Sequence, residues 1–157
     1  MKKITSVLTG MIGFGCGAVV VGRLAGNSAK CWKKMSDKHL ALMLLFNQWM
    51  INKQSGKDIK EYFVKKKYQK IIIYGMSYVG ERLLDELKRS DIEIVAAVDK
   101  NADSIFADIS VISPDDKMPE AECVVVTPVY FFEEIAEEMS AKVTCPIISL
   151  EDILYEI

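Results

Sequence analysis

Beyond residue 70, short apolar runs alternate with stretches whose apolar positions fall on one helical face. Lys70–Tyr74 (KIIIY) is β-branched, of strand length, and broken by Gly75. From there to Arg89, Val79, Leu83, Leu84 and Leu87 recur at three- and four-residue spacing, which predicts a helix with one apolar stripe. Glu93–Val98 predicts a second strand ending at Asp99, and Ile109–Ile112 a weaker third, stopped by Ser113-Pro114. Glu122–Thr127 predicts a fourth strand, Phe131–Met139 a helix with an acidic outer face, and Pro146–Leu150 a fifth strand; a short acidic helix closes the chain. Strands that alternate with helices imply right-handed crossovers and a parallel sheet covered on both faces. The nearly unbroken apolar character of strands one, two and four fits burial on both sides. The expected class is α/β, with five parallel strands in the order 3-2-1-4-5 and ligands at the carboxyl edge near the switch point.

Before residue 70 the pattern is different. Ser36 to Asn52 predicts a helix with Ser36 as N-cap, and Leu42, Leu45, Phe46, Trp49 and Met50 share its apolar face. Gly56 breaks it, and Asp58 to Lys66 predicts a second short helix with Ile59, Tyr62 and Phe63 on one side. Residues 4–22 (ITSVLTGMIGFGCGAVVVG) carry no charged side chain. Nineteen helical residues reach roughly 28 Å, close to a hydrocarbon core of about 30 Å. Five of the nine glycines lie there, a density tolerated in a bilayer because the backbone has no rival partner. Gly13 and Gly17, continued by Ala18 and Gly22, have the small-xxx-small spacing that lets two helices approach, so a homodimer is one expectation. A cleaved signal is the rival reading, but RLAGNSAK offers poor small-residue cleavage options, and Phe14-Gly15 before Cys16 departs from a lipoprotein box. The expected organisation is an anchor over 1–25, a basic helical connector over 26–67 and an α/β domain over 68–157.

Charge separates the same segments. Residues 1–70 hold 14 Lys and Arg against 3 Asp and Glu, a net +11; residues 71–157 hold 6 against 19, a net −13; the near-neutral −2 is their cancellation. Lys2 and Lys3 precede the apolar run, whereas Arg23, Lys30, Lys33, Lys34 and Lys38 follow it closely. That bias predicts a single-pass inner-membrane protein with its carboxyl-terminal domain in the cytoplasm. The basic connector suits anionic lipid at about 1 kcal/mol per residue near the surface. Its Leu/Phe/Trp face can equally pack on the following domain, and both can hold together. Lys65-Lys66-Lys67 reads as a solvated face, so no nucleic-acid partner is expected. Cys16, Cys31, Cys123 and Cys145 lack metal-ligand spacing, and the last two fall in strand-like runs where buried thiols are usual.

The chemistry-bearing segment is Gly75-Met76-Ser77-Tyr78-Val79-Gly80, between the first strand and its helix. Gly75 suits the tight turn, Gly80 close helix–strand packing, and the amides of the helix start can hold a phosphate. Asp99 ends the second strand, where a carboxylate can take ribose hydroxyls. Ser77 replaces the second glycine of the dinucleotide pattern; its Cβ obstructs the closest pyrophosphate approach, while its hydroxyl can donate. The segments IIIYGMSYVGERLLDEL, VAAVDKN, ISVISPDD and VVVTPVYFFEEI resemble short Rossmann-like NAD(P)-binding domains of bacterial nucleoside-diphosphate-sugar epimerase/dehydratase-related proteins. They are also similar to the carboxyl-terminal domain of sugar C-methyltransferases. The resemblance covers residues 60–157 and implies a site for NAD(P) or a nucleotide-sugar at Gly75, Met76, Ser77, Tyr78, Gly80, Asp99, Lys100, Asn101, Thr127 and Pro128. It also implies an association with surface-polysaccharide synthesis and with a protein partner there. The Tyr-xxx-Lys pair of short-chain sugar dehydrogenases occurs only as Tyr62-xxx-Lys66, ahead of the first strand, and His39 is the sole histidine. No catalytic residue is therefore assigned; an accessory or sensing module, a subunit completed by a partner, and a structural adaptor all remain open.

Overall fold

The computed structural model describes residues 30–157, so the anchor expected over residues 4–22 lies outside the described residues. Among the described residues no helix is long and apolar enough to cross a membrane. The chain divides into two compact units, Met1–Leu40 and Ala41–Ile157. Of the first, residues 30–40 are helical. Ser36, expected as an N-cap, therefore stands inside a helical stretch, since no glycine or proline in 30–54 interrupts it.

The second unit opens with helical residues 41–54 (α1) and continues through α2 (Ile59–Lys66), β1 (Lys70–Tyr74), α3 (Tyr78–Leu87) and β2 (Glu93–Val98). A 3₁₀ turn (Ala102–Ser104) leads to β3 (Val111–Ile112); β4 (Cys123–Val126), α4 (Phe132–Ser140), β5 (Ile147–Ser149) and α5 (Leu150–Glu156) follow. The five strands form one parallel sheet, as the alternation of elements predicts, in the expected order β3-β2-β1-β4-β5. β3 ends at Ile112 ahead of Ser113-Pro114 as expected but is shorter at its start, because only Val111 and Ile112 pair with β2.

Alternation along β1 sends its side chains to two cores. Ile71 and Ile73 pack with Leu45 and Trp49 of α1, Ile59 and Phe63 of α2, Leu83 and Leu87 of α3, and Ile153 and Leu154 of α5. Ile72 and Tyr74 pack on the other face with Ile135 and Met139 of α4. The compact unit thus takes in the helices set aside as a connector, because their apolar faces are the cover for one side of the sheet. Met50 is not on that face and stays 58% exposed. Five residues along a helix turn it about 140° away from Leu45. Asn52 occupies the face instead, buried, and its side-chain amide donates to the Leu154 carbonyl at 2.6 Å.

One carboxylate ties three helices together. Glu86 of α3 accepts from the Trp49 indole N–H at 2.8 Å and the Ile59 amide at 3.2 Å, and Lys53 Nζ lies 2.5 Å away. Cys123 is buried and Cys145 half-buried, both as free thiols. Burial pushes the Cys123 thiol up to about 12 and that of Cys145 upward as well.

Candidate functional site

β1 delivers the chain to the carboxyl edge at Tyr74, and the next residue must turn sharply. Gly75 does so at φ +94, where a side chain is strained, and its amide donates to the Val98 carbonyl at 2.7 Å. A Cβ there would meet Pro128 carbons at 2.6 Å and Thr127 Oγ1 at 2.8 Å. Gly80 is required for a different reason: its Cβ would lie 2.0 Å from the Gly75 carbonyl oxygen. The first turn of α3 is thus seated directly on the glycine turn.

Thr127 braces this arrangement from the first position after β4. It is buried, and its hydroxyl lies 2.7 Å from the Gly75 carbonyl, to which it donates, and 3.2 Å from that of Tyr74. Its hydroxyl is thus engaged by the turn itself. Met76 is also buried, its sulfur 3.4 Å from where a Gly80 Cβ would stand. Ser77 and Tyr78 are exposed, and Ser77, the N-cap of α3 by backbone geometry, makes no side-chain bond to the helix. The amides of Tyr78, Val79 and Gly80 are the donors that a helix start leaves without intrahelical acceptors. They and the Ser77 hydroxyl are together the anion-compatible part of the site.

Asp99 couples the loop after β2 to the glycine turn. Its Oδ2 accepts from the Met76 amide at 2.8 Å and its Oδ1 from the Asn101 amide at 2.9 Å. Both carboxylate oxygens are engaged by backbone, with one lone pair on each still open to a hydroxyl.

Gly75, Asp99, Lys100, Asn101 and Pro128 line a common cleft of about 370 Å³ at the carboxyl edge, on the α4 side of the sheet. Met76, Ser77, Tyr78, Gly80 and Thr127 do not line it. The rest of its wall comes from Tyr74, Phe131, Glu134, Ile135 and Glu138, none of them expected from the sequence. Glu134 and Glu138 stand one helical turn apart on α4, a spacing visible in the sequence but indistinguishable there from a solvated acidic face. Glu138 is held below the ordinary carboxylate range by its bond to Lys142, 3.1 Å away, with Lys100 contributing at 3.6 Å. Tyr74 is 3% exposed, and its hydroxyl has no hydrogen-bond partner among the described residues. Burial, with the nearby charges of Glu138, Asp99 and Asp115, pushes that phenol up to about 12. A buried hydroxyl left unpaired costs about 1–3 kcal/mol, so this one calls for a physical explanation. Among the described residues no group of three or more His, Cys, Asp or Glu is placed to hold a metal ion.

No curated protein matches the chain, and no solved structure does. A family model described as C2185-like, N-terminal, matches residues 67–145, from just before β1 to the residues ahead of β5. That match takes in the glycine turn, Asp99 and the whole cleft wall, and spans half of the sequence; the chain belongs to the C2185-like, N-terminal family.

Proposed function

We propose that the α/β unit binds a nucleotide or nucleotide-sugar, and that residues 4–22 hold it at the inner membrane, where it serves as an accessory or sensing module. The observation that carries this reading is the β1–α3 turn. Gly75 and Gly80 admit no side chain, and Gly75 itself lines a cleft at the carboxyl edge. In a parallel α/β sheet that edge, at the strand-order reversal between β1 and β4, is where ligands bind. The Rossmann-like resemblance of residues 60–157 supports a nucleotide there, either NAD(P) or a nucleotide-sugar, and a role in cell-surface polysaccharide synthesis. Asp99 both shapes the turn and offers its remaining lone pairs to a ribose.

A second reading, an adaptor with a degenerate site, is favoured by one observation. Both Asp99 oxygens are already satisfied by backbone amides, as a purely structural carboxylate would be. Thermal unfolding of the full chain in detergent, against NAD(H), NADP(H), UDP-sugars, coenzyme A and S-adenosylmethionine, separates the two. Ligand at a hundred times its Kd adds about 2.7 kcal/mol of stability; no shift with any of them refutes the binding reading. Membrane attachment predicts that the full chain stays in the membrane pellet at high salt, whereas release by salt would leave electrostatic attachment alone.

A further inference from the structure

The cleft on the α4 side is chemically unlike the α3 start, although Gly75 borders both. Its rim carries three carboxylates, Asp99, Glu134 and Glu138, against the single ammonium of Lys100, a balance that repels a phosphate. Glu138 is already paired with Lys100 and Lys142, and Asp99 with two amides. Glu134 is exposed at the mouth as an acceptor. The floor supplies the second half of the case. Tyr74 lines the cleft, nine-tenths and more buried, with a hydroxyl that no described residue satisfies. Phe131, Pro128 and Ile135 make up the apolar part of the wall. The volume, about 370 Å³, lies at the small end of the range for small-molecule sites, enough for one ring unit and too little for a whole dinucleotide.

From this pairing of a buried unsatisfied donor with rim acceptors and an apolar wall, we infer that the α4 cleft is a subsite for a neutral hydroxyl-bearing ring, a sugar. Hydroxyls both donate and accept, so one ring can donate to Glu134 and accept from Tyr74 while its C–H face covers Phe131. The phenol stays protonated, and so remains a donor, throughout the physiological range. This inference rests on the reading above: with the phosphates of a nucleotide-sugar at the α3 amides, its sugar is the part that enters the cleft. It also selects nucleotide-sugars over dinucleotides as the ligand class.

The test uses the full chain in detergent, titrated calorimetrically with UDP, ADP and GDP, with their glucose esters, and with free glucose. Wild type is expected to bind at least one glucose ester about tenfold more tightly than the matching diphosphate. Tyr74→Phe should erase that preference while leaving the diphosphate affinity unchanged, and Glu134→Gln should weaken the ester without weakening the diphosphate. Tyr74→Phe removes only an unpartnered oxygen, so its fold is expected to persist; Glu134 is exposed and gives an independent reading. Equal binding of ester and diphosphate, or a sugar preference retained in both variants, overturns the subsite and leaves nucleotide binding standing. Glucose bound in a Tyr74-dependent way, with no diphosphate bound, refutes the nucleotide reading and leaves the subsite standing. No binding of any probe refutes both.

Discussion

Replacing Gly80 by alanine sets two effects of opposite sign against each other. At an unobstructed helix position the change gains up to about 1 kcal/mol, because glycine loses more backbone freedom on folding. At Gly80 the new methyl would sit 2.0 Å from the Gly75 carbonyl oxygen, against an ordinary carbon–oxygen contact of about 3.3 Å. The gap must open by roughly 1.3 Å, and neither side is the loose end of a side chain. The carbonyl is held by the Thr127 hydroxyl at 2.7 Å, and the methyl is fixed to α3. Forced repacking costs about 1–3 kcal/mol, and losing the Thr127 bond about 1 more. After the propensity gain, the net loss is about 2 kcal/mol. With a urea slope of about 1.5 kcal/mol/M, the unfolding midpoint falls by roughly 1.3 M. Gly56→Ala is the comparison: nothing lies within 4 Å of its new methyl, and only the positive φ of +73 opposes it, at about 1 kcal/mol. Should Gly80→Ala prove as stable as wild type, or lose less than Gly56→Ala, the seating of α3 on the glycine turn is not the constraint described.

Tyr74→Phe should leave the unfolding free energy of the ligand-free chain unchanged or raise it by up to about 1 kcal/mol, since it removes an unpaired hydroxyl; a loss above 1 kcal/mol in urea titration would show that the oxygen has a partner. Glu86→Ala removes the acceptor of the Trp49 indole and the Ile59 amide, so a loss of about 2–3 kcal/mol is expected. In a Trp32→Phe background its tryptophan emission should move to the red as Trp49 gains water, and unaltered emission and stability would contradict the three-helix junction. Glu122 is held below the ordinary glutamate value of 4.5 by backbone bonds from Gln69 and Lys70, and Glu138 and Glu156 are held down by lysines. A depressed carboxylate contributes stability above its unfolded pKa and loses it as pH falls through the folded one. Urea midpoints should therefore stay level from about pH 7 to 5.5 and drop below about 4.5. Glu122→Gln should make that drop shallower; an identical acid limb in the variant would refute the assignment.

Element positions were legible where burial and periodicity agree. β1 and β2 match their expected bounds because each is a run of β-branched or small apolar residues closed by a turn signal, Gly75 in one case and Asp99 in the other. Alternation gives a parallel sheet, and the expected order 3-2-1-4-5, the economical one among doubly wound arrangements, is the one observed. The short β3 was less legible, since its length depends on how far β2 pairs with it. At the site, spacing gives Gly75 to a tight turn and Gly80 to close packing, but not the atoms that forbid a side chain at each. Those atoms belong to Pro128 and Thr127, just after β4, and to a carbonyl of the turn itself. The sequence offers Asp99 to a ribose and Thr127 to a ligand, and in the fold both also satisfy backbone groups. Tyr74 reads as one more core residue of KIIIY, because nothing local reveals that a hydroxyl ends up buried without a partner.

The junction at Glu86 and the buried amide of Asn52 also decide how a mechanical load would travel. Helix α1 is tied to α3 through Trp49 and to the Leu154 carbonyl of α5 through Asn52, while Lys57, just after it, reaches the terminal Ile157 carbonyl at 2.6 Å. Tension along α1 therefore enters the unit through α3, α5 and the sheet face beneath them. The α4 cleft lies across the sheet from that path, since its Tyr74 and Ile135 belong to the core with Ile72, Val124 and Val126 rather than to that of Ile71 and Ile73. Such tension would reach the Glu86 junction and the Ile157 carbonyl before it reached Tyr74 and the cleft.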